Sequence, residues 1–489
     1  MRQPTPPAMP GLPVLGNLLE FNRDRYGLLQ RGYDTLGPIF SLRLGPKRAV
    51  VLIGPQYHQV FFEATDHTLS MGQAYKFLVP MFGEPVGVTA APEDYQEQRA
   101  IFLELFKSAN MEGYIQVMAQ EVQAWLETLG ESGTFEVVES CQRLAQHIAA
   151  HAFMGAEFRQ RLDEPFWHLF HDLVAGMDAV LPPSLPLPRF LRRDRARRQM
   201  HAMIRPLIAE RRGASGKHHD FLQTLVEARY ADGRPLTDAM IVSFIISLMF
   251  AGHETTSGQA SWGLIQLLQH PDYLGVVLEE QAHALPPGQP ITLETLRHVP
   301  HLLWALRETG RTRSAAGLLM RYTVESYEVG GYQVPAGWLT LISPHLAHRL
   351  PEVFHEPTRY DPWRFAPDRA EDRQHRFALV GFGGGVHKCL GMHFATNEMA
   401  VIISLLLQQY HLELLTPDPQ PRLEKMRAAR PTPCWIRYQR RRGHAKGLCR
   451  REALPHTVGR VAPAPDFGSV QEVARTILPG AVQKHPRLV

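Results

Sequence analysis

The sequence predicts a mainly α-helical protein with a small β portion, folded as one large domain. Between about residues 93 and 310, apolar side chains recur at the three-and-four spacing of amphipathic helices. Strand-like alternation is confined to short runs, and no internal repeat divides the chain. With 489 residues, 44% of them hydrophobic, there is material for a large core.

In chain order, residues 1–25 are proline-rich and read as an N-terminal arm. They lack the basic start and unbroken apolar run of a signal peptide. PIFSLRLGPKRAVVLIGP, 38–55, alternates around a Gly-Pro turn and predicts a β-hairpin. Periodicity predicts helices over 109–129, 139–154, 198–212, 235–270 and 293–312. VLPPSLPLPRF and RRGASGKHHD interrupt them, and the arginine cluster between, RFLRRDRARRQ, reads as a solvated helix face. AMIVSFIISLMFAG, 239–252, is shorter than a membrane span and reads as a buried core helix, so no transmembrane anchor is expected. RYTVESYEVGGYQVPAGWLTLIS, 321–343, predicts short strands about a Gly-Gly turn. A loop-rich segment, 351–388, leads into a long helix and a strand, and PTPCWIRYQR predicts a last strand. These elements place the folded domain at 26–440. Residues 441–489 turn basic and rich in proline and glycine, and read as a poorly ordered tail.

A balance of 52 basic and 48 acidic residues gives no bulk-charge argument for a nucleic-acid partner. Cys141, Cys389, Cys434 and Cys449 are too few and too scattered for a disulfide framework. They fit a reducing, cytoplasmic setting. None forms a C-x-x-C pair, which disfavours a zinc ribbon or an iron–sulfur cluster.

The most informative stretch is GFGGGVHKCLGMHFATNEMA, 381–400. A glycine run before a helix can cradle phosphate, but no strong strand precedes this one and no Gly-Lys-Ser/Thr follows. An inert core thiol is the ordinary fate of an intracellular cysteine, and that reading is kept for Cys141, Cys434 and Cys449. Cys389 differs because it stands at a helix start, where free amide N–H groups and the dipole favour a thiolate. His387 and Lys388 add positive charge, and the glycines leave space for something flat. One thiolate ligand with open space before it suits haem iron. On these residues alone, haem and an inert thiol both stay open.

FGGGVHKCLG resembles the haem-binding loop of cytochromes P450: Phe, two residues, Gly, one residue, a basic residue, one residue, Cys, one residue, Gly. Phe382, Gly385, His387, Cys389 and Gly391 fill those places. The resemblance implies the cytochrome P450 fold, with haem b between the long central helix and the cysteine loop. It makes Cys389 the axial iron ligand and places Phe382, Gly383, His387 and Gly391 against the cofactor.

Two further stretches fit the same family. LRETGRTRS carries Glu308 and Arg311 on one helix face, and DPWRF carries Arg364. A surface ion pair is the ordinary reading of Glu308 and Arg311. In the family such a pair is buried with the second arginine and supports the haem loop. Gly310 departs from a good helix by about 1 kcal/mol, and the Arg-x-x-Pro that often follows is missing. MFAGHETTSGQASW, 249–262, places Gly252, Glu254, Thr255 and Thr256 in an apolar helix, where back-bonding hydroxyls can open a kink. By resemblance Thr255 orients O2 and water, and Glu254 relays protons.

QAYKFLVPMFGEPVGVTAAPEDYQEQR, 73–99, resembles the segment over the haem in sterol 14α-demethylases. Tyr75, Phe77, Pro80, Phe82, Gly83, Val86, Glu97, Gln98 and Arg99 match. The likeness runs from about residue 10 to 440. It implies that Tyr75, Arg99, Arg321 and His387 bind the haem propionates. Phe77, Met81, Phe82, Met249, Phe250 and Ala251 become candidate pocket walls. Thr89 and Ala90 replace an aromatic and an Asp usual in that branch, and Glu254 replaces its His. The implied activity is O2-dependent oxidation of a C–H bond in a sterol-like terpenoid. Another lipophilic substrate, or a haem protein that does not oxygenate, are the alternatives. No flavin or cluster motif occurs, so electrons are expected from an external ferredoxin or flavodoxin and an NAD(P)H-dependent reductase. The basic residues near Cys389 suggest that this partner is acidic.

Overall fold

The computed structural model describes residues 3–441, apart from 180, 214–217, 219, 287–288 and 423–427. The expected tail, with Cys449, lies outside the described residues except for Arg441.

The axis of the fold is the 32-residue helix Asp238–Gln269. Thr237 caps its start by accepting from the Met240 N–H, and Pro271 opens the next helix. Every residue from Thr256 to Leu267 is buried, as an all-round apolar helix requires. Ser108–Leu129, Val137–Met154 and Met392–Gln409 pack with it into the largest core cluster. Asp238–Gln269 and the stretch Gly385–Gln409 are long and apolar enough to cross a membrane, but half or more of each is buried inside the fold. That burial is what a core helix needs.

A five-stranded sheet stands to one side, in the order Ile39–Leu44, Lys47–Leu52, Leu339–Ile342, Leu319–Thr323, Leu69–Ser70. The first two form the expected hairpin, turning at Gly45 (φ 64°), and Lys47–Leu52 runs parallel to Leu339–Ile342. The proline-rich arm is tied to this sheet: the Ser41 N–H donates to the Pro7 carbonyl at 2.7 Å.

Three boundaries differ from the sequence reading. A helical stretch, Leu18–Leu36, kinked at Asp24, already begins inside the expected arm. Pro188–Arg212 starts ten residues before the predicted 198, because Arg193 takes a buried position and hides the apolar period. Arg193 is held there by Asp194 at 2.8 Å and the Pro183 carbonyl at 3.1 Å. Arg192, Arg195 and Arg198 are exposed, as a solvated face requires. The stretch 293–312 divides into Leu293–Arg297 and Pro300–Thr312, since the residue before a proline leaves helical conformation.

Candidate active site

Glu308 and Arg311 lie one turn apart on Pro300–Thr312, and Arg364 joins them from the turn Pro362–Phe365. All three side chains are 0% exposed. Arg311 Nε and Nη2 donate to the two Glu308 oxygens at 2.7 Å each. Arg364 Nε donates to Glu308 at 3.1 Å and its Nη1 to Glu371 at 2.6 Å. The Asp361 N–H adds a bond to Glu308 at 2.9 Å. A desolvated carboxylate held by two guanidiniums and an amide is a fully paired interior charge, and the surface-pair reading falls. Arg311 Nη1 also donates to the carbonyls of His348 at 2.6 Å and Pro357 at 2.7 Å.

Hydrogen bonds lead from this cluster to the cysteine. The Val380 N–H donates to His348 Nε2 at 2.9 Å. Gly383 N–H donates to the Val380 carbonyl, and Cys389 N–H to the Phe382 carbonyl, each at 2.9 Å. His58, on the helix Pro55–Glu63, holds the Phe377 carbonyl through Nδ1 at 3.2 Å. Burial keeps both histidines neutral, pulling His58 from 6.5 to about 4 and His348 well below its ordinary value. An unfolded histidine takes its proton near 6.5, so below that pH the unfolded chain binds more protons than the folded one. The stability held at neutral pH is therefore lost as pH falls from 6.5 toward 4, by roughly 3 kcal/mol for His58 alone. Thermal melts from pH 7 to 4 check this, and His58→Asn should flatten the slope.

Gly384 and Gly385 do not make room for a flat cofactor, as the sequence had suggested. A Cβ on Gly384 would stand 3.0 Å from the rings of Phe62 and Phe377. Gly385, at φ 63°, would put one 2.9 Å from the Phe62 carbonyl. The glycines admit Phe62.

Cys389 lies between the turn Gly385–His387 and the helix Met392–Gln409. It is solvent-accessible although protein surrounds it on nearly every side, so it lines a hollow. Burial pushes its thiol up, against the opposing pull of the Gly391 N–H and Lys388. In the protein alone, desolvation outweighs the helix-start effect expected to favour a thiolate. A metal ion on the sulfur reverses that balance. Cys141 and Cys434 are buried, with thiols raised to about 12 and about 11, as inert core cysteines should be.

Beside the loop, Arg321 is buried, donating to Thr65 Oγ1 at 3.1 Å and to the Met320 carbonyl at 2.9 Å. Tyr75 lies in its field, its phenol raised by burial. His387 Nε2 meets Asp66 at 2.6 Å, its ring stacks on Tyr95 at 3.9 Å, and Arg321 and Arg99 both act on it. The structure thus brings Tyr75, Arg99, Arg321 and His387 into one electrostatic cluster. Among the described residues no carboxylate stands within ion-pair distance of Arg99 or Arg321. Arg99 Nε and His387 Nδ1 are buried without a partner among those residues. Asp66 and Tyr95 escaped the sequence reading. Asp66 sits in a turn at φ 69° and carries no spacing signal. Tyr95, four residues before Arg99 on Pro92–Leu105, could have been found from helical spacing.

On the central helix, Thr255 Oγ1 donates to the Ala251 carbonyl at 2.6 Å. The back-bond is as expected, but the helix runs unbroken through 252–256, so the expected kink is no break. Ala251 is exposed in the middle of this largely buried helix. Phe250, Gly252, Glu254 and Thr255 are half-buried. Among the described residues, nothing beyond its own helix backbone and chain neighbours stands within 4 Å of where a Gly252 Cβ would be. Phe82 meets Phe250 at 5.7 Å between rings, and Phe77 meets Tyr75 at 6.2 Å. Met81, Phe82 and Met249 are buried in the core.

An accessible thiol in a hollow, beside cations that lack anionic partners, is the site of a haem-thiolate oxidoreductase. The cytochrome P450 family profile matches residues 6–434, and the chain belongs to that family. It is similar to the sterol 14α-demethylase of Mycolicibacterium vanbaalenii, 34% identical over 434 residues, covering 87% of this chain and 96% of that one. It is also similar to the sterol 14-demethylase of Arabidopsis thaliana, 33% identical over 90% of this chain and 91% of that protein. Among solved structures, cyanobacterial CYP120A1 with retinoic acid bound superposes with a TM-score of 0.81, at 28% identity over 90% of this chain and 100% of that one. The protein is a haem-thiolate monooxygenase with a cysteine ligand to the iron. The residues present fit the cofactor: the Arg99 guanidinium, whose buried Nε lacks a partner among the described residues, and the Arg321 guanidinium can take two propionates, and the accessible thiol can take the iron.

Proposed function

We propose that this monooxygenase oxidises a C–H bond of a sterol or related polycyclic terpenoid. The observation that carries the reading is where the demethylase-like segment lies. Its Phe82 packs against Phe250, next to the exposed Ala251, so the matching residues wall the open face of the central helix.

In this reading Cys389 ligates the iron, while Tyr75, Arg99, Arg321 and His387 hold the propionates. Phe382, Gly383 and Gly391 shape the backbone around the sulfur. The haem supplies O2 binding and activation, favoured by an electron-rich thiolate. Phe77, Phe250 and Ala251 exclude water and orient the apolar substrate, with Met81, Phe82 and Met249 packed behind them. Glu254 relays protons through its carboxylate, and Thr255 Oγ1 can exchange its bond to the Ala251 carbonyl for one to a water or to dioxygen. Electrons come from an external ferredoxin or flavodoxin and an NAD(P)H-dependent reductase. The exposed Lys388 favours an acidic partner, so turnover should fall as salt rises.

Replacing Glu254 by Gln should lower kcat about a hundredfold. Replacing Thr255 by Ala should leave NAD(P)H oxidation running while product per NAD(P)H falls about tenfold. Paired assays of cofactor consumption and product check both. Substrate class is tested by titrating lanosterol-like sterols and following the iron spin state. A saturable shift with sterols supports the reading. Glu254 in place of the branch's His, and the retinoic acid bound to CYP120A1, favour a second reading, a terpenoid other than a sterol. A shift with retinoic acid and none with sterols would establish it.

A further inference from the structure

Behind the cysteine loop, two ring nitrogens, His58 Nε2 and His348 Nδ1, are buried without partners among the described residues. The backbone fixes which of them carries hydrogen. A carbonyl only accepts, so the nitrogen facing Phe377 O, His58 Nδ1, carries the proton. His58 Nε2 is then a bare acceptor. An amide only donates, so His348 Nε2, facing the Val380 N–H, is bare. His348 Nδ1 is then a donor. The two rings are electrostatic neighbours and both are 0% exposed. One leftover donor and one leftover acceptor thus stand in two buried rings that both bond the backbone of the short segment 377–380. Polar atoms so placed find a partner or destabilise the fold. One water satisfies both, accepting from His348 and donating to His58.

We propose that His58 and His348 clamp a single buried water, and that this bridge is a positioning element for the Cys389 loop. It joins the helix Pro55–Glu63 to the segment whose His348 carbonyl receives Arg311. The same two rings hold Phe377 and Val380, in the extended segment that feeds the glycine turn. The bridge therefore makes the Glu308–Arg311 cluster, the segment 377–380 and the sheet-side helix one body. Neither histidine touches substrate or iron; both act through the backbone of 377–380.

Two variants remove the bridge and little else. His58→Asn keeps an N–H for the Phe377 carbonyl and loses the Nε2 acceptor. His348→Gln keeps an acceptor for the Val380 N–H and loses the Nδ1 donor. Full-length holoprotein is reduced, bound with carbon monoxide and placed in mild denaturant that leaves its helical signal intact. The decay of the thiolate-type Soret band is then timed. Each variant should decay about tenfold faster than the native chain. The double variant should decay no faster than either single one, because one bridge is lost only once. Rates that multiply to about a hundredfold in the double variant, or singles that match the native chain, overturn the proposal. Nitrogen NMR of histidine-labelled native protein tests it even if a variant fails to fold. Both rings should carry hydrogen on Nδ1; hydrogen on Nε2 of either ring overturns it.

Discussion

Replacing Cys389 by Ser lowers oxygenation by about a thousandfold, some 4 kcal/mol in barrier. The hydroxyl fits the same space, at the same start of the helix Met392–Gln409, against the same Gly391 N–H. What it lacks is acidity and softness. Burial already opposes ionisation of the thiol, and a hydroxyl, with its far higher pKa, is opposed more strongly. A neutral oxygen ligand gives the iron little of the electron density that favours O–O cleavage. Replacing Cys389 by His should retain haem but give a neutral imidazole ligand of the kind oxygen carriers use. Product formation with a ferredoxin or flavodoxin, its reductase and NAD(P)H checks both variants. Haem content, measured alongside, separates lost chemistry from lost cofactor.

Replacing Glu308 by Ala destabilises the folded chain by about 3–5 kcal/mol, a large share of the 5–15 kcal/mol typical of a domain. The change strands Arg311 and Arg364, neither of which has any exposed side-chain surface. Arg364 keeps Glu371 at 2.6 Å, whereas Arg311 keeps only carbonyls. The loss should reach the cysteine loop through His348 and Val380, so haem should dissociate before the helices melt. An exposed pair serves as contrast. Arg437 and Glu413 lie at 2.6 Å with both side chains more than half exposed, and Glu413→Ala should change stability by no more than about 0.5 kcal/mol. Urea midpoints and haem-to-protein ratios across the series check the prediction.

Much of this was legible in the sequence because some features are local. The hairpin at 38–55 announced itself by alternation and a Gly-Pro turn, and the central helix by its apolar run. Cys389, Glu308, Arg311 and Arg364 sit in short strings whose spacing is fixed by one helix turn or one loop. What the sequence hid is held by distance along the chain. His58 and His348 meet the segment before the cysteine loop across 319 and 32 residues, and Asp66 meets His387 across 321. No period or spacing records such pairings. The glycines misled for a related reason: their missing side chains accommodate Phe62, which lies more than 300 residues earlier. Arg193 misled because a buried arginine looks polar in a pattern.

The most direct test of the site is the absorption spectrum of the reduced native chain with carbon monoxide bound. A sulfur anion from Cys389 on the iron predicts the strongly red-shifted Soret band of a thiolate-ligated carbonyl haem, lost when Cys389 becomes Ser. A folded, haem-loaded native protein with only the unshifted band of a neutral ligand would contradict the account, as would a red-shifted band that survives the substitution.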